Sequence, residues 1–171
     1  FLGKDGKMHK PYQTCWGLST RSIGALVMAH GDDNGLVMPP RLAPVQAVII
    51  PVFQGKEEDK DLVKKAQEMK NALNEFKVEV DARTEYSCGW KFNEWELKGV
   101  PLRIEIGPRE LKAKEATFVR RDNGEKTKTK FNKLNNEVKK VLEEIQKNLL
   151  EKSKKHLKEN TREASTYEEF K

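Results

Sequence analysis

Residues 45–52 read VQAVIIPV, a run that is apolar except for Gln46 and has about the length of one strand. Such a run is typical of a strand that is buried on both faces of a sheet. Residues 57–76 follow with apolar side chains at intervals of three and four, as in an amphipathic helix, and residues 78–80 indicate a second strand. Because parallel strands need a long crossover connection, this order of strand, helix and strand predicts an α/β fold with a largely parallel sheet.

Downstream of this unit, periodicity and turn residues predict two helices and three strands. The predicted elements are a helix at 90–97 that Gly99 ends, strands at 102–106, 116–119 and 125–130, and a long helix at 132–160. The apolar stripe of the long helix consists of Leu134, Val138, Val141, Ile145 and Leu149. The stripe fades past Leu150, so we expect the core to end there.

Upstream of residue 45, the sequence predicts a smaller unit made of a strand, a helix and a second short strand. Thr20 is suited to cap a helix that Gly31 ends, and residues 32–35, DDNG, are a strong turn signal. The two predicted strands are residues 12–18 and 36–38.

The charge of the chain is unevenly distributed. The 171 residues include 33 Lys and Arg and 27 Asp and Glu, which gives a net charge of +6. Residues 108–171 carry 18 basic and 12 acidic side chains, whereas residues 51–107 carry 10 and 12. A basic surface can bind nucleic acid phosphates, although charged runs on helices are more often solvated faces. No apolar run approaches the roughly 18 residues of a membrane span, which excludes a transmembrane protein.

Cysteine and histidine residues form no local metal-binding pattern. Cys15 and Cys88 are the only cysteines, which excludes a cysteine-built zinc site and a disulfide-rich scaffold, and we expect two free thiols. The sequence also lacks a Walker A loop, a Gly-x-Gly-x-x-Gly turn after a strand, a His-Glu-x-x-His pair and a serine nucleophile elbow. No local motif indicates hydrolytic chemistry.

Two segments combine side chains that suit nucleotide or nucleic-acid binding. Residues 16–21, WGLSTR, either bind a nucleotide with their hydroxyls and guanidinium or only cap a helix beside a buried Trp16. Residues 90–109 interleave aromatic rings with carboxylates and cations. Arginine can read guanine, glutamate can accept from a base amino group and aromatic rings can stack on unpaired bases. The alternative is a packed pair, Phe92 and Trp95, beside a solvated salt-bridge face.

Several short segments also occur in a specific order. Residues 15–24 read CWGLSTRSIG, and residues 30–44 read HGDDNGLVMPPRLAP. The segments that follow are DAR at 81–83, GWKF at 89–92, WELKGVPLRIEIGPR at 95–109 and VRRD at 119–122. Together they resemble motif 3 of the prolyl-tRNA synthetase family and its exit into the anticodon-binding domain. The resemblance spans about residues 12–150, and the WELKG run is closer to the archaeal and eukaryotic type.

This resemblance implies the C-terminal part of a class II synthetase. Residues 1–44 are then the C-terminal edge of the catalytic domain, an antiparallel sheet with the motif 3 helix. Residues 45–150 form a mixed-sheet α/β anticodon-binding domain, and residues 151–171 are a helical linker toward a C-terminal domain. Motifs 1 and 2 do not occur in the sequence, so we expect a piece of a longer enzyme that does not form adenylate by itself.

The resemblance further implies ATP-dependent activation of proline, with Mg²⁺, and transfer of proline to tRNA(Pro). By position, Ser19 and Arg21 are the ATP contacts of motif 3, and Arg21 is the catalytic residue that braces the adenine and the terminal phosphate. Trp16 and Gly17 belong to the proline pocket. The implied partners are tRNA(Pro), L-proline, ATP and a second copy bound through the catalytic domain, in the cytoplasm. We expect no metal site within this chain and no membrane.

In the anticodon-binding domain, the resemblance concerns four further positions. It implies that Glu96, Arg103 and Arg109 read the two guanines shared by proline anticodons and that Phe92 stacks on a base. Arg109 stands where the family also has Lys, which keeps the charge but changes the hydrogen-bond geometry.

Two alternatives to this interpretation stay open. One is a stand-alone or excised tRNA anticodon-binding module without catalysis, which residues 12–44 argue against because such a module has no use for motif 3. The other is a different class IIa synthetase, threonyl or histidyl, which shares the fold but not the WELKG run at residues 95–99.

Overall fold

The computed structural model describes residues 1–53 and 59–171. Its helices are α1 (Arg21–His30), α2 (Asp59–Ala72), α3 (Cys88–Leu97), α4 (Pro108–Ala113), α5 (Leu134–Asn160) and α6 (Tyr167–Phe170). Its strands are β1 (Ala47–Pro51), β2 (Val78–Val80), β3 (Leu102–Ile106), β4 (Glu115–Arg120) and β5 (Lys126–Lys130). The helix expected over 57–76 forms as α2, and its predicted start at residue 57 lies outside the described residues.

The five strands form one mixed sheet in the order β2-β1-β3-β4-β5. β1 pairs in parallel with both β2 and β3, while β3, β4 and β5 pair antiparallel. All residues of β1 are buried, as the apolar run predicts for a strand covered on both faces. The mixed α/β fold is confirmed. The expectation of a largely parallel sheet is wrong for its second half, because α4 and the tight turn after β4 return the chain in the opposite direction.

The two faces of the sheet are covered very differently. One face carries the larger core, in which Ile49, Ile104 and Phe118 pack with residues of α2 and α5. The opposite face carries a small cluster of Val48, Ile50 and Val100, against which α3 packs. We call this second side the α3 face. Because cross-strand partners share a face, the register places Arg103 of β3 beside Val48, on the α3 face.

The long helix α5 follows the predicted pattern closely. All five residues of its predicted apolar stripe are buried, and Leu142 is buried with them. The side chain of Leu149 is 2% exposed, whereas that of Leu150 is 51% exposed. α5 continues to Asn160 without further buried residues, so the core ends at the residue where the stripe fades. The boundary expected at residue 150 therefore lies inside a continuous helix.

The predicted strands at residues 12–18 and 36–38 do not form. Residues 1–44 contain the predicted helix α1 but no strand beyond two isolated bridges, Leu2 with Met8 and Asp32 with Gly35. Residues 36–38 instead bond to the end of α3, because Leu36 N donates to Leu97 O at 3.0 Å. A strand needs a neighbouring strand for its backbone groups, and the described residues supply none at these positions. The antiparallel sheet expected in residues 1–44 is therefore not observed.

Two helix boundaries are explained by capping residues that the sequence analysis did not use. α3 begins two residues before the predicted start, because the Oγ of Ser87 accepts a hydrogen bond from Trp90 N. α4 was not predicted at all. Its start has a proline at the first position, and Glu110 accepts from the N–H of Gly107 at 3.2 Å. Gly99, with φ +73°, ends α3 as expected.

Among the helices of the described residues, none is both long enough and apolar enough to cross a membrane.

The boundary of the core can be tested with two adjacent leucines of α5. Leu149→Ala should lower the free energy of unfolding by about 2–5 kcal/mol, because it leaves a cavity in the larger core. Leu150→Ala is the matched control and should cost less than about 0.5 kcal/mol, because its side chain is half exposed. Urea denaturation measures both. Equal losses in the two variants would contradict the assigned end of the core.

Candidate nucleic-acid interface

A buried carboxylate holds α3 against the sheet. Asp81 follows β2 directly, and its side chain is 1% exposed. Its Oδ2 accepts hydrogen bonds from Trp95 Nε1 and Arg83 Nη2, both at 2.7 Å, and its Oδ1 accepts one from Arg83 Nε at 2.9 Å. Arg83 also forms an ion pair with Glu94. Trp95 and Glu94 belong to α3, so the end of β2 is bonded to that helix at two points.

These hydrogen bonds also determine the ionisation of Asp81. Burial is the strongest single influence and raises the pKa of a carboxyl group, because it disfavours the charged form. The hydrogen bonds from Arg83 and Trp95 together outweigh burial and lower the pKa of Asp81 to about 2. Hydrogen bonds from Lys98 and then Arg83 lower the pKa of Glu94 in the same way. Both carboxylates are therefore ionised at neutral pH.

Lys91, a residue of α3, places a second charge on the buried side of that helix. Its side chain is fully buried, and Nζ donates to the carbonyl oxygen of Arg83 at 2.7 Å and to that of Asp81 at 3.5 Å. The ammonium also lies 4.9 Å from the centre of the Phe53 ring. A buried ammonium is stable only with such partners. Lys91 thus anchors the loop between β2 and α3 from below.

Three of the four predicted anticodon contacts meet on the α3 face. Phe92 and Glu96 lie one turn apart on α3, and Arg103 lies on the neighbouring strand β3. The guanidinium of Arg103 is 4.4 Å from the centre of the Phe92 ring, and its Nη1 is 3.9 Å from Glu96 Oε2. Arg103 Nε donates to Glu105 Oε1 at 2.9 Å. The cluster therefore presents a fixed guanidinium beside a carboxylate.

The alternative interpretation of this segment holds at the same time. Phe92 and Trp95 do pack against the small apolar cluster of the α3 face. The same Phe92 ring lies beneath Arg103. The same surface thus packs its aromatic rings and presents its charged groups, so the two interpretations do not exclude each other.

The fourth predicted contact, Arg109, lies elsewhere. It is exposed near the start of α4, after the end of β3, whereas Arg103 is near the beginning of that strand. In the described part of the chain, no hydrogen bond or ion pair joins Arg109 to the other three residues. The structure therefore does not bring it into the cluster.

A pocket of about 480 Å³ adjoins the cluster. It is lined by residues of α3, the sheet, the turn between β4 and β5, and the turn at 32–34. Its polar lining residues include Asp32, Asn34, Glu96, Arg103, Asn123 and Lys126. Guanidinium, ammonium, carboxylate and amide groups together can bond to base edges and to phosphates. The pocket is thus suited to a nucleotide.

Arg121 is a structural contact of this pocket that the sequence analysis missed. It is 9% exposed, and its Nη1 and Nη2 donate to the two carboxylate oxygens of Asp32 at 2.7 and 2.6 Å. Its Nε donates to the backbone oxygen of Glu96 at 3.1 Å. The hydrogen bond from Arg121 lowers the pKa of Asp32. One guanidinium thereby joins the turn after α1 to the C-terminal end of α3.

The adjacent Arg120 fixes the turn between β4 and β5. It forms a two-point pair with Asp122 at 3.0 and 2.9 Å, and Asn148 of α5 donates to the same carboxylate at 2.6 Å. The side chain of Asp122 is fully buried. Burial raises its pKa, but the bonds from Arg120 and Asn148 outweigh burial and lower it. The pocket wall is therefore held rigidly to α5. No periodic pattern in the sequence predicts the contacts of Arg120 or Arg121, and only the VRRD segment of the resemblance includes these residues.

A known protein family matches the part of the chain that contains this surface. Residues 46–141, more than half of the chain, match the anticodon binding domain family. The chain belongs to this family. The α3 face and its pocket lie within the matched residues, apart from the turn at 32–34, which precedes them.

Three curated relatives of the chain carry the same name. A proline–tRNA ligase of Alkaliphilus oremlandii is 48% identical over 172 aligned positions, which cover 100% of this chain and 35% of that protein. A proline–tRNA ligase of Rubrobacter xylanophilus is 45% identical and covers 100% and 36%, and one of Lachnoclostridium phytofermentans is 44% identical and covers 99% and 35%. The resemblance to prolyl-tRNA synthetase is confirmed. The chain spans about a third of the length of these relatives.

The predicted motif 3 residues lie outside the matched anticodon binding domain. Trp16 is 93% exposed, and Gly17, Ser19 and Arg21 are exposed as well. The helix cap that was the alternative explanation is not seen, because the side chain of Thr20 makes no capping bond and Trp16 is not buried. No contact in the described residues joins these four residues to the α3 face.

Two further features of the chain are its possible metal ligands and its two cysteines. In residues 1–53 and 59–171, no group of three or more His, Cys, Asp or Glu side chains is arranged to hold a metal ion. Cys15 and Cys88 are free, as predicted.

The role of Asp81 predicts a specific dependence on pH. The pKa of Asp81 is about 2 in the folded chain against an ordinary value of 3.8. The stabilisation that its ionised form gives to the fold is therefore complete above about pH 4 and is lost as the pH falls toward 2. The shift corresponds to roughly 2 kcal/mol. Asp81→Asn should therefore destabilise the chain at about pH 6, and its difference from wild type in the free energy of unfolding should shrink by roughly 1–2 kcal/mol at about pH 2.5.

Urea denaturation at both pH values measures this difference, and the other carboxylates largely cancel because both proteins contain them. The control is Asp33→Asn, an exposed carboxylate. A difference between wild type and Asp81→Asn that does not change with pH would mean that Asp81 acts through its shape and not through its charge.

Proposed function

We propose that this chain is the motif 3 and anticodon-binding part of a proline–tRNA ligase, and that it reads the anticodon of tRNA(Pro) with Phe92, Glu96 and Arg103. The observation that carries the proposal is the convergence of these three side chains on one face of an anticodon binding domain. Relatives named proline–tRNA ligase along the whole length of the chain support the choice of tRNA.

The chemistry of the cluster suits guanine. The outer nitrogens of Arg103 can donate to guanine O6 and N7, while the carboxylate of Glu96, 33% exposed, can accept from a base amino group. Glu105 holds the Nε of Arg103, so the guanidinium is oriented before RNA binds. Phe92 supports the guanidinium plane and offers ring surface for an unpaired base. The cluster therefore offers the two guanines in the anticodon of tRNA(Pro) both a hydrogen-bond donor and a hydrogen-bond acceptor.

We include Arg109 as a third reader of the anticodon. It is exposed at the start of α4, one strand length from Arg103. An anticodon loop that follows β3 reaches both arginines with different nucleotides.

For the complete enzyme, we propose activation of proline by ATP, supplied as its Mg²⁺ complex, and transfer of proline to tRNA(Pro). Ser19 and Arg21 contact ATP, with Arg21 as the catalytic cation, and Trp16 and Gly17 line the proline pocket. Relatives named proline–tRNA ligase align with the whole chain, residues 16–21 included, which supports this role. Residues 1–44 are then the edge of a class II catalytic domain, through which two copies associate. We place the enzyme in the cytoplasm.

The role of Glu96 in RNA binding can be separated from catalysis. In the complete ligase that contains this chain, Glu96→Ala should raise KM for tRNA(Pro) by about 5- to 100-fold, the range expected for one base contact. ATP–pyrophosphate exchange with proline should remain nearly unchanged, because it does not involve the anticodon. Steady-state aminoacylation and exchange assays measure the two steps. Glu75→Ala removes an exposed carboxylate outside the α3 face and should change neither. Equal losses in both steps would show that Glu96 is structural.

The catalytic role of Arg21 has the opposite signature. Arg21→Ala in the complete ligase should abolish proline-dependent ATP–pyrophosphate exchange, because the cation that aligns the phosphates is lost. Binding of a tRNA(Pro) anticodon hairpin should be unaffected. The control, Arg162→Ala, removes another exposed arginine and should leave exchange intact. Exchange at the wild-type rate in the Arg21 variant would overturn its assignment to motif 3.

A further inference from the structure

The edge strand β5 carries an unusual row of charges. Its sequence is KTKTK, so its three lysines project to one side and its two threonines to the other. Lys126, Lys128 and Lys130 are exposed, whereas Thr129 is 8% exposed. Neighbouring lysines are about 6.8 Å apart along the strand. We call Lys126, Lys128 and Lys130 the β5 lysine row.

The register of the sheet places the β5 lysine row on the α3 face. Lys126 pairs with Val119, Val119 pairs with Arg103, and Arg103 pairs with Val48 beneath α3. Paired residues share a face of a sheet, so the row continues from the proposed base-reading cluster. Lys126 lines the same pocket as Glu96 and Arg103.

Within residues 1–53 and 59–171, the lysines of the row have no anionic partner. Lys130 is opposite Glu115, yet no ion pair or hydrogen bond involves any side chain of the row in residues 1–53 and 59–171. The lysines of α5 differ, because Lys147 and Lys155 each lie 3.8 Å from a glutamate one turn away. The row therefore presents three positive charges that no other described residue neutralises.

The basic side chains of α5 lie on the wrong side of the sheet for this pocket, whereas Arg120 and Arg121, which line it, are paired with Asp122 and Asp32. α5 packs on the larger core, and its Val138 and Ile145 lie in the same cluster as Ile49 and Phe118. That cluster is on the face opposite α3. The basic surplus of residues 108–171 is thus divided by the sheet, and the β5 lysine row is the part of it that continues from the pocket without a carboxylate partner among the described residues.

We propose that the β5 lysine row binds the phosphates of the RNA strand whose bases enter the pocket at Glu96 and Arg103. This inference rests on the proposed function and adds to it a surface that holds the backbone without reading sequence. An extended row of ammonium groups matches the repeating charge of an RNA strand, and each lysine contacts a phosphate as a point charge. Another purpose for lysines on an edge strand is to prevent pairing with a second sheet, and this purpose does not require RNA.

The test is the salt dependence of RNA binding by the full chain. The probe is a synthetic RNA hairpin with the anticodon loop of tRNA(Pro), and the variant is K126Q/K128Q/K130Q. Three phosphate contacts contribute about 2 to the slope of log Kd against log salt. The slope should therefore fall by about 2, so that a fourfold rise in salt weakens wild-type binding about 16-fold more than it weakens the variant.

Two matched variants isolate the position and the charge of the row. K140Q/K147Q/K155Q removes the same charge from α5, on the opposite face, and should leave the slope close to that of wild type. K126R/K128R/K130R keeps the charge and should keep the slope. Circular dichroism confirms that the variants are folded, and the exposed single change K128Q serves if the triple glutamine variant does not fold, with a loss of about 0.7 in slope.

Base discrimination distinguishes this inference from the proposed function. The same measurements are made with a hairpin in which both anticodon guanines are replaced. The wild-type preference for the proline anticodon should be equal in K126Q/K128Q/K130Q, because phosphate contacts carry no sequence information. An unchanged slope in that variant, an equal loss in the α5 variant, or an altered preference would overturn the phosphate surface while the proposed function stands. A wild-type chain that binds both hairpins equally would overturn the anticodon-reading function itself.

Discussion

The buried carboxylate of Asp81 is the contact on which the α3 face depends. Among the described residues, the buried apolar cluster beneath α3 consists of Val48, Ile50 and Val100, so the hydrophobic interface of this helix is small. The hydrogen bonds of Asp81 to Trp95 and Arg83 add directional contacts that a small apolar interface lacks. Their ionic character raises the cost of moving α3, because any shift leaves a buried charge without partners. The position of the side chains proposed to read bases follows from this contact.

Two arginines extend the same principle to the edges of the pocket. Arg121 binds the carboxylate of Asp32 and the backbone of Glu96, so the segment that follows α1 and the helix that carries Glu96 share one cation. Arg120 and Asp122 hold the opposite wall to α5. The pocket is thus assembled from distant parts of the chain by charged hydrogen bonds. Displacement of any one part changes the geometry of the others.

The surface separates two tasks that nucleic-acid recognition requires. Residues 51–107 have slightly more acidic than basic side chains, yet they contain Glu96 and Arg103, whose opposite charges suit base edges. The lysines of β5 adjoin them, have no carboxylate partner in the part of the chain that the structure describes, and suit phosphates. The net charge of +6 does not describe either task, because the sheet divides the basic surplus between two faces. Register, which decides the face of each side chain, determines how the charge is used.

Sequence alone was sufficient for features whose signal is local. The apolar run of β1, the stripe of α5 and the glycine that ends α3 depend on residues within a few positions of each other, so periodicity and turn chemistry located them. The resemblance in residues 89–109 located Phe92, Glu96 and Arg103, and these residues meet because α3 is followed directly by β3. The strand expected at 12–18 was wrong for the same physical reason, since a strand requires a partner that local sequence does not describe.

Only the tertiary structure decided which distant groups meet. Asp32 and Arg121 are 89 positions apart, and Asp81 lies 14 positions before Trp95, so neither pairing has a local periodic signal. The face on which the β5 lysines lie depends on three strand pairings in succession. The separation of Arg109 from the other predicted readers depends on the length of β3. The sequence determined the helices and strands and the functional groups that they carry. The path of the chain determined which of these groups come together, because electrostatic contacts depend on distance in space and not on separation in sequence.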